Sequence, residues 1–185
     1  FILEMIFYKD GDKNSSKKEA KNNSDINLKT EATKKTNVSI SAPIKGNVVA
    51  LADVKDEVFS SESMGKGIAI EPEEGKVYAP ADGVISTFFP TGHAIGITTD
   101  SGAEILIHVG MDTVEMNGDG FEPQKSQGDK VKKGDLLLKF NIDKIKAAGH
   151  PVTTPVIITN SDDYADVIPT NALKVDSGDE LIQII

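Results

Sequence analysis

His108 and His93 are the residues whose types and spacing can do chemistry in this chain. His108 sits in Ala103-Glu-Ile-Leu-Ile-His-Val-Gly-Met-Asp-Thr-Val114, inside a run of strand-forming apolar residues. His93 lies fifteen positions earlier, in Thr91-Gly-His-Ala-Ile-Gly-Ile97. The chain has three histidines, so two of them fall in neighbouring strand-like runs. Near neutral pH an imidazole can carry a phosphoryl group, a proton or a metal ion. Strand alternation puts Leu106 on the face of His108, and Ile105, Ile107 and Val109 on the other. A histidine among apolar neighbours loses water, which favours the neutral, nucleophilic ring. Gly110 lies two residues after His108 and Gly92 just before His93. Without a Cβ, each lets a ligand or partner approach the backbone closely. Thr91 is expected on the strand face of His93, within hydrogen-bond reach of an imidazole. Such a bond fixes which ring nitrogen is free. A lone histidine of this kind is more often a satisfied, half-buried residue, and it is the pair that shifts the balance. His150, in Ala148-Gly-His-Pro-Val152, sits in a loop before a proline and is assigned no role.

The elements that must position this pair are short. From Val38 onward, apolar runs alternate with Gly, Pro, Asn and Asp. The runs are 67–70, 76–79, 83–89, 93–98, 104–109, 135–140, 156–159 and 181–185. Many short strands with turn signals predict an all-β, antiparallel sandwich or barrel. Ile142–Ala148 reads as two helical turns, and Asp53–Ser60 as another turn of helix. Val77–Ile85 and Gly128–Leu137 look like two variants of one strand–turn–strand unit. Gly128-Asp-Lys-Val-Lys-Lys-Gly-Asp-Leu-Leu also resembles a biotinyl or lipoyl carrier hairpin, but Lys132 and Lys133 lack the sequence context of a modified lysine.

Residues 9–37 are rich in Lys, Asn, Ser, Thr and Asp. Such a stretch cannot bury enough surface to offset its ordering entropy. Residues 1–37 therefore read as a flexible linker or disordered N-terminal tail, and 38–185 as one domain. Phe1–Tyr8 is apolar but short and contains Glu4, and it lacks the flanks of a signal peptide. No apolar run approaches the roughly 20 residues of a membrane helix.

Residues 1–40 hold eight lysines and six acids, and the rest holds twelve lysines and twenty-three acids. An acidic body argues against nucleic acid and suits a basic protein partner. There is no cysteine, which excludes disulfides and thiolate zinc sites and is compatible with the cytoplasm. There is also no arginine, the usual bidentate phosphate clamp. A phosphate site here must use histidine, hydroxyls, backbone N–H groups or lysine.

Several segments together carry a family resemblance: Ala42-Pro-Ile-Lys-Gly46, Asp53-Val-Lys-Asp-Glu-Val-Phe59, Met64-Gly-Lys-Gly-Ile-Ala-Ile70, Val77-Tyr-Ala-Pro-Ala-Asp-Gly83, Thr91-Gly-His-Ala-Ile95, Ile107-His-Val-Gly-Met-Asp-Thr-Val114, Gly118-Asp-Gly-Phe121, Val131-Lys-Lys-Gly-Asp135 and Thr154-Pro-Val-Ile-Ile-Thr-Asn160. In that order, from about residue 40 to the end, the chain resembles the glucose-type enzyme IIA of the bacterial phosphoenolpyruvate-dependent sugar phosphotransferase system. The resemblance implies a β-sandwich of the duplicated hybrid motif type. It implies a cytoplasmic phosphocarrier without a cofactor, taking a phosphoryl group from the small protein HPr and passing it to a cysteine of a sugar-specific IIB domain. It implies His108 as the phosphoryl acceptor through Nε2, His93 as the stabiliser of the phosphoryl oxygens, and Thr91 as the residue that orients His93. Asp56, Val58, Phe59 and Asp112 would form the docking face. Where the family commonly has Asn before the first histidine, this chain has Gly92; where it has Phe after each histidine, the chain has Ala94 and Val109. These changes are expected to alter the rim of the site. The lysine-rich segment leans toward fusion with a membrane permease, and sugar specificity is left open.

Two other readings compete. A lysostaphin-type zinc endopeptidase needs His-x-x-x-Asp and His-x-His, but Ile97 and Leu106 stand where those motifs need Asp and His. No metal is therefore required, although His93 and His108 could take adventitious zinc with a third ligand from a partner. A regulatory binding module that senses its own phosphorylation is the second alternative.

Overall fold

The computed structural model describes residues 37–185. The expected tail lies outside the described residues up to position 36. The chain runs β1 (Val38–Ser41), β2 (Gly46–Val49), α1 (Glu57–Ser60), β3 (Lys66–Pro72), β4 (Lys76–Tyr78), β5 (Gly83–Phe88), β6 (Ala94–Thr99), β7 (Glu104–His108), β8 (Phe121–Pro123), β9 (Lys130–Val131), β10 (Leu136–Phe140), α2 (Ile142–Ala147), β11 (Thr154–Ile158), β12 (Val167–Pro169), β13 (Lys174–Val175) and β14 (Glu180–Ile184). Single 3-10 turns occupy Leu51–Asp53, Thr113–Met116 and Ser161–Asp163. Both α-helices are side-chain capped: Asp56 accepts from the amides of Val58 and Phe59, and Asn141 from that of Lys144. The antiparallel all-β reading holds, with α2 one residue shorter than expected. No described helix is long and apolar enough to cross a membrane.

One eight-stranded sheet has the order β13-β2-β3-β11-β7-β6-β5-β9. Two three-stranded sheets, β1-β14-β12 and β4-β10-β8, share its core. Ile68, Ile70, Ile95, Ile97, Ile105, Ile107, Val156 and Ile158 of the long sheet join Ile40, Val77, Leu138 and Ile182 of the small sheets in one apolar cluster. Strand alternation sends the next residues to the outer face. There Ala69, Leu106 and Ile157 meet Leu51, Val54 and Phe59 in a second cluster. Segment 51–64 thus lies over the outer face beside His108. The edge strands β9 and β13 are two residues long, and each exposes a lysine, Lys130 or Lys174, which blunts edge-to-edge pairing.

The strand registers reveal a nested duplication. Leu138 pairs with Val77 and Pro123 in one small sheet, as Ile182 pairs with Ile40 and Pro169 in the other. Both ladders carry a register irregularity at the same step. In the long sheet, Gly83 pairs with Val131 and Thr99, as Gly46 pairs with Val175 and Pro72. The unit β4–β10 is therefore inserted into its own twin, made of β1–β3 and β11–β14. A pseudo-twofold passes through the Val156–Ile107 pair. This corrects the expectation that Val77–Ile85 and Gly128–Leu137 are copies of each other. They are complementary pieces of one copy, paired through β4 with β10 and β5 with β9, and their counterparts are Ile40–Val48 and Ala172–Leu181.

Ile70 and Ile97 are related by this twofold, and each is fully buried. Ile70→Ala and Ile97→Ala should each lower unfolding free energy by about 2–5 kcal/mol, measured by urea denaturation. A loss under about 0.5 kcal/mol in either would contradict the shared core.

Candidate functional site

His108 is the last residue of β7, directly opposite Ala94 at the start of β6. Its imidazole is buried, with 5% exposure. Nδ1 lies 2.7 Å from the carbonyl oxygen of Gly110. A carbonyl can only accept, so Nδ1 carries the hydrogen and donates it. In the neutral ring this leaves the lone pair on Nε2. Gly110 has φ 74°, and a Cβ there would sit 2.8 Å from the carbonyl oxygen of Pro151 and 2.6 Å from Cγ2 of Thr113. Glycine is required because the protein's own loops approach it, rather than a ligand as the sequence suggested.

His93 stands just outside β6, in the turn Thr91–His93. That differs from the strand start expected at His93. With Ala94 opposite His108, strict alternation would send His93 to the other face. The turn, with φ 74° at Gly92, brings it back. The two imidazole centroids are 5.0 Å apart with planes at 75°. The hydroxyl of Thr91 is 2.5 Å from His93 Nδ1. If the hydroxyl donates, His93 Nε2 carries the hydrogen and faces the site as a donor.

Two phenyl rings extend the row. Phe59 lies 5.3 Å from His108, and Phe89 lies 5.4 Å from His93. The sequence did not single out Phe89, since no alternation links it to the histidine four residues on. Burial pushes the His93 pKa down to about 4, and the neighbouring His108 adds to the effect. Burial also lowers the His108 pKa, opposed by the Gly110 carbonyl and the carboxylates of Asp56 and Asp112. Both rings are neutral at pH 7.

The four expected docking residues separate. Asp112 is exposed and Val58 half-buried, so both can meet a partner. Asp56 is half-buried, and its Oδ1 is spent on capping α1. Phe59 is 1% exposed. It backs His108 instead of offering docking area, because its ring completes the cluster beneath segment 51–64. Gly92, Ala94 and Val109 are all buried, so their departures from the common pattern do not shape a rim. His150 is half-buried, and its amide donates to Ile145. No three metal-ligating side chains converge among the described residues. A groove lined by Gly118–Glu122 and Lys139–Lys144 includes neither histidine.

Comparison with known proteins agrees with this fold. Residues 38–164 match the family model described as phosphoenolpyruvate-dependent sugar phosphotransferase system, EIIA 1. A beta-glucoside-specific EIIBCA component from Halalkalibacterium halodurans is 48% identical over 167 residues, covering 88% of this chain and 26% of that protein. The beta-glucoside-specific EIIBCA component of Bacillus subtilis is 58% identical over 126 residues, covering 68% of this chain and 21% of that protein. The chain thus spans about a quarter of the length of these relatives. The solved glucose permease IIA from Mycoplasma capricolum superposes with a TM-score of 0.73 at 36% identity, covering 80% of this chain and 96% of that one. The antiparallel sandwich and these matches agree, and the chain belongs to the EIIA 1 family of the phosphoenolpyruvate-dependent sugar phosphotransferase system.

Proposed function

We propose that His108 Nε2 accepts a phosphoryl group from phospho-HPr and delivers it to a cysteine of a IIB domain. One observation carries this reading: the Gly110 carbonyl holds the hydrogen on Nδ1 and leaves Nε2 as the nucleophile. In the transfer, the donor's P–N bond breaks as the Nε2–P bond forms. The hydrogen stays on Nδ1, and the ring gains positive character. The Gly110 carbonyl then accepts a stronger, charge-assisted bond. His93, steadied by Thr91, donates from Nε2 to a phosphoryl oxygen. Burial of both rings keeps water from the N–P bond, so the group is stored until a thiolate docks. Positioning two proteins in line does most of the chemical work. Asp112 and Val58 are the accessible candidates for the docking face, and the acidic body suits a basic donor.

We read residues 1–37 as a linker and 38–185 as the carrier domain; the family match begins at the same residue as β1. The EIIBCA names of its relatives support a role as the A portion of a larger permease, with a beta-glucoside as the sugar class and tethering at the membrane.

Incubation with phosphoenolpyruvate, enzyme I and HPr tests this directly. Wild type should gain acid-labile phosphate, and His108→Ala none. Equal labelling of the two would refute the assignment. His93→Gln should accept phosphate yet pass it to IIB at least about tenfold more slowly, as expected for a lost transition-state donor. Onward transfer at the wild-type rate would remove the role given to His93.

A pH dependence follows from the lowered His93 pKa. As pH falls below the ordinary histidine value of 6.5, the unfolded chain binds protons that folded His93 refuses until about 4. Stability from this group is therefore full above 6.5 and declines toward 4. Urea melts should show a shallower decline for His93→Gln than for wild type over that window. Parallel declines would contradict the lowered pKa.

A further inference from the structure

The loop from His108 to Thr113 contains a buried polar group that the transfer scheme does not use. Thr113 is fully buried, with 0% exposure. Its hydroxyl donates to the carbonyl of Val109 at 2.6 Å. The amide of Val109 donates to the carbonyl of His93 at 2.7 Å. Val109 is thus held on both sides, once by the strand that follows His93 and once by Thr113. The carbonyl that Thr113 holds belongs to the peptide leading into Gly110. Rotation of that peptide sets φ of Gly110, which is 74°. The next carbonyl, that of Gly110, is the one that receives the His108 Nδ1 hydrogen. Met111 then closes the loop by donating to the carbonyl of Pro151 at 3.0 Å.

We propose that Thr113 is a positioning residue for His108. Its hydroxyl aims the Gly110 carbonyl at Nδ1 and so keeps the lone pair on Nε2. The inference deepens, and rests on, the reading of His108 as phosphoryl acceptor. A hydroxyl at this depth has no water to bond, so losing it leaves the Val109 carbonyl short of a donor. The peptide can then rotate to find another partner, and it carries the Gly110 carbonyl with it. A misaimed carbonyl no longer selects the Nδ1–H tautomer, and the ring splits between its two neutral forms.

The test compares Thr113→Ser, Thr113→Ala and Thr113→Val. Serine and alanine both lack the methyl group beside Gly110, and they differ only in the hydroxyl. Valine keeps the branched shape and loses the hydroxyl. Two readouts apply: the His108 tautomer from long-range proton–nitrogen NMR at neutral pH, and the rate of phosphate uptake from phospho-HPr. Thr113→Ser should keep the Nδ1–H tautomer and most of the rate, even with a lower melting temperature. Thr113→Ala and Thr113→Val should show a mixed tautomer and a roughly tenfold slower uptake, the scale of a small misplacement of a reacting group. If Thr113→Val does not fold, the serine–alanine pair decides alone. Equal tautomer and rate in serine and alanine would overturn the proposal. The tautomer readout needs no phosphoryl donor. A wild type that takes up no phosphate would sink the carrier reading while leaving the comparison of tautomers intact.

Discussion

The hydrogen bond from His108 Nδ1 to the carbonyl of Gly110 is the interaction on which the site depends. It converts an ordinary buried imidazole into one with a defined lone pair. Everything around it serves its geometry. Gly110 supplies a φ that a residue with a Cβ adopts only at a cost. Pro151 and Thr113 close over the space a Cβ would need. β7 sits near the middle of an eight-stranded sheet, next to the pseudo-twofold, where apolar packing lies beneath it and segment 51–64 beside it. A site on a rigid strand end is held more closely than one on a free loop.

Burial of the pair has an electrostatic consequence that suits a carrier. Desolvation lowers both pKa values, so neither ring takes a proton near neutrality. A protonated His108 would have no nucleophilic nitrogen. The carboxylates of Asp56 and Asp112 oppose the shift without reversing it. They would also favour the partly positive ring of the proposed transfer. The row Phe59–His108–His93–Phe89 packs the imidazoles against the edges and faces of rings.

The sequence made the face of His108 legible, because Leu106 does lie on its side and Ile105, Ile107 and Val109 on the other. Alternation works there because the strand is regular. It fails at His93, which reaches the site through a glycine turn that no period describes. Strands β1, β2, β8, β12 and β13 leave no signal in the sequence because each has two to four residues, too few for a repeating pattern. Prolines at the ends of β8 and β12 disguised them further. Phe59 and Val109 were read as surface because a motif names residues without saying which way they point. The burial of Phe59 follows from Ala69 and Ile157, far along the chain. The nested duplication leaves both histidines of the pair in one copy. Ile157 and Gly67 pair in the twin copy where His108 and Ala94 pair in this one, so the twin offers no imidazole there and contributes segment 51–64 instead, with Phe59 against His108 and Asp56 nearby.

The central claim concerns a single nitrogen. Nitrogen and phosphorus NMR of the protein after phosphorylation, with nitrogen-labelled histidine, reads which ring atom bears the phosphoryl group. The account predicts phosphorus on Nε2 of His108, with the Nδ1 hydrogen retained and protected from exchange. Phosphorus on Nδ1, or on any other histidine, would contradict it.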